Sequence, residues 1–250
     1  MKYLLHPERR FALAATTLLI LDVDKTLWRQ VGEETVEAAE YAAFGACLGR
    51  DPAELKAYVS QRKRELLLAR SRKFSMYEIL LELFSQQRIS SDRLIAIRNG
   101  LYHPEEFIFG PDTRLCAALE LLSEHFTIAF GTNSPFQGAT TVLELLGVRA
   151  INCQLQVAPI WSFERVSAFK PDPDFFLQIV DFMDCPSQHC LSVGDSVHKD
   201  GLAALSAGIP AAIIVEQAPD DLCTLAPLLA SRDWEGIQAL CSPRPIPTPP

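Results

Sequence analysis

Two aspartates, Asp22 and Asp24, stand directly after the mostly apolar run 17–21 and are separated by one residue. A run that is apolar on both faces is typical of a central strand in a covered parallel sheet, and such sheets form their sites beyond the carboxyl ends of the strands. Residues two apart in extended backbone point to the same side, so both carboxylates can face one small volume. Two like charges this close need a cation between them, or one of them must keep its proton. Taken alone, the pair could equally be a solvated strand exit.

Three further segments carry polar residues near the ends of predicted strands or the start of a helix. They are Thr132 and Asn133 after the apolar segment 126–130, Lys170 just before a helix, and Asp195 and Asp200 after the segment 190–193. Ordinary structural roles also fit these residues: Thr132 could be a helix N-cap, Lys170 a surface lysine and Asp195 a turn residue. Whether they act together depends on the elements that position them.

Helices and strands alternate from residue 111 to residue 215. Strands are predicted over 17–21, 126–131, 150–157, 190–193 and 211–215, with helices over 113–124, 137–146, 173–182 and 202–207. Strands that alternate with helices at this spacing imply right-handed crossovers and a parallel sheet. We therefore predict an α/β fold with a doubly wound parallel sheet.

The region after the first strand is helical instead and carries no strong strand. Helix starts are indicated by Asp51 as an N-cap, by a capping box from Ser75 to Glu78, and by Ser90. The end of the chain is rich in proline, so we expect it to form an extended, mobile tail. The predicted division is an α/β core of residues 1–28 and 110–240, an inserted α-helical domain of residues 29–109, and a tail of residues 241–250.

Composition excludes several classes of partner. With 250 residues, 48% of them hydrophobic, the chain can bury a full core. A net charge of -8 offers no basic surface for nucleic acid or for an anionic membrane. No segment reaches the length of a transmembrane helix. The seven cysteines are scattered without a Cys-x-x-Cys pair, so we expect free thiols in a reducing compartment and no zinc site.

The first residues imitate a signal peptide, because Lys2, Arg9 and Arg10 precede the apolar stretch 11–21. No small-x-small cleavage site follows, and cleavage after this stretch would destroy the site at Asp22. We therefore expect a cytoplasmic protein.

Taken in order, the polar residues resemble the four sequence motifs of the haloacid dehalogenase superfamily in its phosphatase form. The motif residues are Asp22-Val23-Asp24-Lys25-Thr26, then Thr132, then Lys170, then Gly194-Asp195 with Asp200. The resemblance covers residues 17–215. It implies a Rossmann-like core, an α-helical cap inserted after the first motif, and hydrolysis of a small phosphorylated metabolite.

The same resemblance implies a catalytic role for three residues. Asp22 would attack phosphorus and form an aspartyl-phosphate, which divides one difficult displacement into two easier ones. Asp24 would give a proton to the leaving oxygen and then take one from the attacking water. Lys170 would neutralise charge on the nucleophile and on the phosphate.

A magnesium site and a phosphate site are also implied by the resemblance. Mg²⁺ suits an all-oxygen site with few carboxylates. Its implied ligands are the Asp22 carboxylate, the Asp24 main-chain carbonyl and Asp195, with Asp200 holding the water around the metal or Lys170. The implied phosphate-binding groups are Thr132, the amides around Asn133, and Lys170.

Other functions on the same scaffold stay open. A phosphotransferase or phosphomutase would pass the phosphoryl group to a second hydroxyl, and a catalytically silent relative would serve as a binding module. Members that dehalogenate carbon lack an acid at the position of Asp24, so its presence favours phosphate ester chemistry. Lys25 departs from the small residue that many relatives carry there. The basic cluster from Arg62 to Lys73 is either a source of positive charge for the substrate or a solvated helix face. We expect a monomer or a homodimer.

Overall fold

The structure, a computed structural model, describes residues 1–9, 11–29, 33–70, 73–148 and 158–243. The strands in these ranges are β1 Lys2–Leu5, β2 Leu18–Leu21, β3 Thr127–Gly131, β4 Ile160–Trp161, β5 Cys190–Gly194, β6 Ala211–Ile214 and β7 Ser242–Pro243. They form one sheet in the order β4-β3-β2-β5-β6-β1-β7. The five strands from β4 to β6 are parallel, whereas β1 pairs antiparallel with β6. The predicted parallel α/β sheet is therefore confirmed, with an antiparallel strand added on one side.

Helices pack on both faces of this sheet. Four further α-helices of the described residues lie in the sequence between strands β2 and β3. The α-helices are α1 Glu33–Leu48, α2 Pro52–Arg70, α3 Met76–Gln86, α4 Ser91–Asn99, α5 Thr113–Ser123, α6 Phe136–Leu145, α7 Phe163–Val166, α8 Pro173–Phe182, α9 Ala203–Ser206, α10 Asp220–Ala230 and α11 Trp234–Leu240. A π-helical turn, Val197–Leu202, precedes α9. Among the described helices, none combines the length and the apolar character needed to span a bilayer.

The apolar run that ends in Asp22 is β2, the central strand, whose four residues are all buried. Leu19 and Leu21 belong to a core that includes residues of α5, α6 and α10. Leu18 and Ile20 point the other way, into a core formed with α8 and α9. Because both faces of β2 are covered, the strand tolerates no polar residue until its carboxyl end.

Helices α1 to α4 lie between β2 and β3 in the sequence and share a separate core that includes Phe44, Leu80 and Phe84. The predicted helix starts are confirmed. Asp51 accepts hydrogen bonds from two main-chain N–H groups at the start of α2, and Ser75 forms the complete capping box at the start of α3. These contacts are local, which explains why the sequence signals them reliably.

The structure differs from the sequence predictions near both ends of the chain. The predicted strand 150–157 lies outside the described residues. Strand β1 was not predicted, because its residues were interpreted as part of a targeting-like segment. Helices α10 and α11 were not predicted either. Residues Ser242–Pro243 pair with β1. The prediction of a mobile tail over residues 241–250 is therefore wrong for these two residues. Proline is accepted there because β7 is an edge strand, where one side needs no ladder donor.

Candidate active site

The ammonium group of Lys170 lies between two of the predicted carboxylates. Its Nζ atom is 2.6 Å from Asp22 Oδ1 and 2.6 Å from Asp200 Oδ1. It donates a third hydrogen bond, 2.9 Å long, to the carbonyl of Gly131. The residue is only 2% exposed. An ammonium has three donors, so these contacts use all of them and hold the charge in one place.

Parallel pairing explains why residues so distant in sequence meet here. Strands β2, β3 and β5 are neighbours and run in the same direction, so their carboxyl ends lie at one edge of the sheet. Asp22 follows β2, Thr132 follows β3 and Asp195 follows β5. Lys170 reaches the same edge from the loop that precedes α8.

The side chain of Asn133 fixes the main chain of Lys170. Its Nδ2 atom donates to the Lys170 carbonyl at 2.8 Å, and its Oδ1 atom accepts from the Lys170 N–H at 2.8 Å. Asn133 was predicted to bind phosphate, but its side chain is committed to positioning Lys170. Thr132 is also engaged, because its hydroxyl accepts from the Ser134 N–H at 3.0 Å. Phosphate binding by the main-chain amides of this loop stays a prediction.

Asp22 is buried and surrounded by like charge. Its Oδ2 atom accepts a hydrogen bond from Thr26 Oγ1 at 3.2 Å. Burial raises the pKa of Asp22 to about 8; the Lys170 charge opposes this rise, and the Asp200 and Asp195 charges add to it. An ionised Asp22, which a nucleophile must be, therefore needs more positive charge than Lys170 supplies.

Lys170 itself remains charged. Burial alone would lower its pKa, but the Asp200 and Asp22 carboxylates outweigh burial and raise the pKa of Lys170 above its ordinary value. The central cation of the site is thus permanent over the physiological pH range.

Asp22, Asp195 and Asp200 form a cluster of possible metal ligands. One carboxylate oxygen from each lies within 4.8 Å of the others. Burial also raises the pKa of Asp195, and the Asp200 charge adds to this rise. A cluster of carboxylate oxygens in which burial and like charge disfavour the charged forms of Asp22 and Asp195 fits a hard divalent cation.

Asp200 is the most constrained member of this cluster. Its Oδ1 atom binds Lys170, and its Oδ2 atom accepts from the Ser196 N–H at 3.0 Å. A Cβ atom at Gly194 would lie 2.3 Å from the Asp200 carboxyl carbon, so this approach requires glycine. Both oxygens of Asp200 therefore accept hydrogen bonds from protein groups, and its supporting role stays a prediction.

Asp24 is held by hydrogen bonds to both of its carboxylate oxygens. Oδ1 accepts from the Tyr102 hydroxyl and from Trp28 Nε1, the latter at 3.2 Å. Oδ2 accepts from the Ser134 hydroxyl and from Thr132 Oγ1, the latter at 3.4 Å. Four donors on one carboxylate fix its orientation.

Sequence reasoning missed three of these donors, Trp28, Ser134 and Tyr102. Ser134 could have been found, because it completes a run of three polar residues after β3. Tyr102 carries no sequence signal, since it lies 78 positions from Asp24 in the segment after α4. Its ring packs on Gly138 of α6, where a Cβ atom would come within 2.3 Å of the ring.

A cavity of about 590 Å³ opens onto the site and is lined by both the core and the helical insertion. Asp22 and Asp24 line it from the core. Lys63, Tyr77 and Arg98 line it from α2, α3 and α4. The insertion therefore forms part of the surface that a bound molecule would contact.

The predicted basic cluster divides between two environments. Lys63 and Lys73 line the cavity, whereas Arg62 forms an ion pair with Glu82 at 3.0 Å. Lys25 also lines the cavity. Its φ of 61° lies in the left-handed region that favours glycine and asparagine, which explains why a small residue suits this position.

A protein-family model described as haloacid dehalogenase-like hydrolase matches residues 16–208, well over half of the chain. This match contains all of the motif residues that meet at the edge of the sheet. The chain belongs to the haloacid dehalogenase-like hydrolase family.

Several solved structures resemble this chain at low identity. A 2-haloacid dehalogenase from Pseudomonas syringae pv. tomato DC3000 is 19% identical with a TM-score of 0.48, covering 87% of this chain and 99% of its own. A haloacid dehalogenase-like family hydrolase from Xanthomonas campestris is 17% identical with a TM-score of 0.47, covering 87% and 93%. A HAD phosphatase from Thermococcus onnurineus is 20% identical with a TM-score of 0.43, covering 82% and 88%. A comparison with curated proteins found no match.

Proposed function

We propose that this protein is a magnesium-dependent phosphatase that hydrolyses a small phosphorylated metabolite. The observation that carries the proposal is the Lys170 ammonium, 2.6 Å from both Asp22 and Asp200, in a cluster that includes Asp195. A phosphate monoester repels nucleophiles and reacts extremely slowly in water, so positioning and charge neutralisation must supply most of the catalysis. The site offers both at one point.

Each residue has a step that follows from its contacts. Asp22 attacks phosphorus and forms an aspartyl-phosphate, while Lys170 neutralises charge on the carboxylate and on the phosphoryl oxygens. Asp24 gives its proton to the leaving oxygen, and then takes one from the water that hydrolyses the intermediate. The side chains around Asp24 keep its carboxylate aimed through both steps.

Magnesium fits the acidic cluster. The Asp22 carboxylate, the Asp24 main-chain carbonyl and Asp195 would hold the ion, which when bound supplies positive charge to the phosphoryl oxygens. Asp200 keeps Lys170 in place through its own hydrogen bonds.

The helical insertion serves as a cap in this proposal. Its helices line the cavity together with the catalytic residues of the core. A lining of that kind excludes bulk water and contacts the part of the substrate that leaves. The cap therefore sets specificity, while the core performs the chemistry.

The test measures phosphate release from p-nitrophenyl phosphate and a panel of phosphorylated metabolites, with and without magnesium. We expect hydrolysis that chelation abolishes and added magnesium restores. Asp22→Asn should lower the rate by about a thousandfold or more, because it removes the nucleophile. Asp181→Asn, at an exposed carboxylate on α8, is the matched control and should leave the rate unchanged.

A second measurement follows the intermediate. Brief reaction and acid quenching should leave phosphate on the wild-type protein in an acyl linkage that hydroxylamine cleaves. Transfer of phosphate to a second hydroxyl without release, or halide release from a haloacid in place of phosphate release, would contradict the proposal.

A further inference from the structure

Arg98, near the end of α4, is a buried cation that lines the same cavity as Asp22. Its side chain is 7% exposed, and its Nε atom is buried without a hydrogen-bond acceptor. Oxygen Oε1 of Glu40 lies 3.9 Å from that Nε, which is beyond hydrogen-bonding distance. A buried guanidinium nitrogen without an acceptor is costly, so this site gains when an anionic ligand supplies one.

Glu40 compensates the Arg98 charge only in part. The same Glu40 oxygen accepts a hydrogen bond from the Tyr77 hydroxyl at 2.6 Å. Burial raises the pKa of Glu40, with Tyr77 and Arg98 opposing the rise. The carboxylate is therefore shared and partly disfavoured, and the guanidinium keeps capacity for a second anion.

An aromatic platform holds Arg98 in place. Its guanidinium lies over the Tyr77 ring, 3.6 Å from the ring centroid. The Tyr77 ring packs in turn against Phe169, with centroids 5.4 Å apart, and Phe169 directly precedes Lys170. Stacking fixes the plane of the guanidinium and leaves its N–H edge for a ligand.

The position of Arg98 along the substrate follows from its neighbour Tyr102. Tyr102 donates to Asp24, the residue proposed to protonate the leaving oxygen. Arg98 and Tyr102 both line the cavity, Arg98 from the end of α4 and Tyr102 from the segment that follows it. The transferred phosphoryl group would occupy the space at Asp22 and Lys170. Arg98 therefore faces the leaving group.

We infer that Arg98 binds a second anionic group, a carboxylate or a phosphate, carried by the leaving group of the substrate. This inference rests on the proposed phosphatase function and narrows its substrate class to phosphate monoesters with a second negative charge. A guanidinium presents paired N–H groups that match the two oxygens of either anion.

The test compares esters that differ in the charge of the leaving group. One pair is phosphorylated lactate and phosphorylated lactamide, and the other is ethylene glycol bisphosphate and ethylene glycol monophosphate. The measured quantity is the ratio of kcat/KM for the charged ester to kcat/KM for the neutral ester. Because it is a ratio, a general loss of activity cancels.

The ratio is measured for the wild-type protein, Arg98→Gln and the control Arg93→Gln, an exposed position on the same helix. We expect the wild-type protein and Arg93→Gln to prefer the charged ester of at least one pair by about tenfold or more. Arg98→Gln should lose that preference, mainly through a higher KM for the charged ester. The pair that shows the preference identifies the anion as carboxylate or phosphate.

Arg98→Gln leaves Glu40 buried beside a neutral partner and could disturb the fold. The double variant Arg98→Gln with Glu40→Gln removes both charges, and it should lose the preference as well. No preference in the wild-type protein, or an equal preference in the wild-type protein and either Arg98 variant, overturns the inference and leaves the phosphatase function standing. If no ester releases phosphate from the wild-type protein with magnesium, both the function and the inference fail.

Discussion

Asn133 and Lys170 exchange two hydrogen bonds of 2.8 Å, side-chain amide to main chain, across 37 positions of sequence. The side-chain amide of Asn133 therefore fixes the position of the Lys170 main chain, while Asp22 and Asp200 fix the position of its ammonium group. A shift of about 1 Å in a catalytic group can cost about a hundredfold in rate. The position of the Lys170 ammonium group thus depends on Asn133, whose side chain need not contact substrate.

Asn133→Ala should lower kcat for phosphate release by about tenfold to a hundredfold, because the Lys170 main chain loses both bonds. Gln87→Ala is the matched control, since Gln87 donates an amide hydrogen bond to the Leu48 carbonyl inside the insertion. The control should keep the wild-type kcat. Equal kcat in Asn133→Ala and the wild-type protein would show that the paired bonds do not position the lysine.

Lys170→Met should abolish activity and also destabilise the protein. It leaves Asp22 and Asp200 buried without their cation, which costs about 3–5 kcal/mol in the free energy of unfolding. Adding Asp200→Asn should recover part of that stability, because it removes one of the two unpaired charges, and should recover no activity. Urea unfolding and phosphate release measure the two effects separately. Full activity in Lys170→Met would remove the lysine from the mechanism.

The resemblance to the family motifs implied that Asp22, Lys170 and Asp200 act at one site, and the topology explains why they meet, because little freedom is left at the carboxyl edge of a parallel sheet. Once β2, β3 and β5 are recognised as neighbouring strands, the residues that follow them must meet. The helix starts at Asp51, Ser75 and Ser90 were equally accessible, since each depends on hydrogen bonds within a few residues.

The parts that sequence reasoning missed depend on contacts between distant segments. The Tyr102 hydroxyl reaches Asp24 only because the segment after α4 returns over Gly138, and no local pattern encodes that path. The role of the Asn133 side chain is similar, because an amide after a strand can face a ligand or a neighbouring loop equally well. Packing between distant segments decides both contacts, the insertion against the core for Tyr102 and two loops of the core for Asn133, and one sequence does not specify it.

Tyr102→Phe should slow the reaction most for poor leaving groups. The variant removes one of the donors that orient Asp24, whose proton matters when the leaving oxygen is strongly basic. We expect kcat for an alkyl phosphate to fall by about tenfold, and kcat for p-nitrophenyl phosphate, whose leaving group needs little protonation, to fall much less. Tyr58→Phe, a tyrosine whose ring lies under Arg50 in the insertion, is the control. An equal fall for both substrates would indicate a structural role only.

Gly194→Ala should disrupt the acidic cluster, whereas Gly100→Ala should be tolerated. A Cβ atom at Gly194 would lie 2.3 Å from the Asp200 carboxyl carbon, so the carboxylate must move away from Lys170 and Ser196. Overpacking of this kind costs about 1–3 kcal/mol in stability. Gly100 has a φ of -75°, and its added Cβ would meet its nearest neighbour at an ordinary 3.5 Å.

Thermal unfolding and phosphate release together test this comparison of the two glycines. We expect Gly194→Ala to lower Tm and to lose most of its activity, because Lys170 and the carboxylates of the acidic cluster no longer share one geometry. Gly100→Ala should keep the wild-type activity and a Tm equal to or slightly above the wild-type value, since the change only restricts the unfolded chain. Wild-type activity in Gly194→Ala would show that the position of Asp200 does not hold the Lys170 ammonium group beside Asp22.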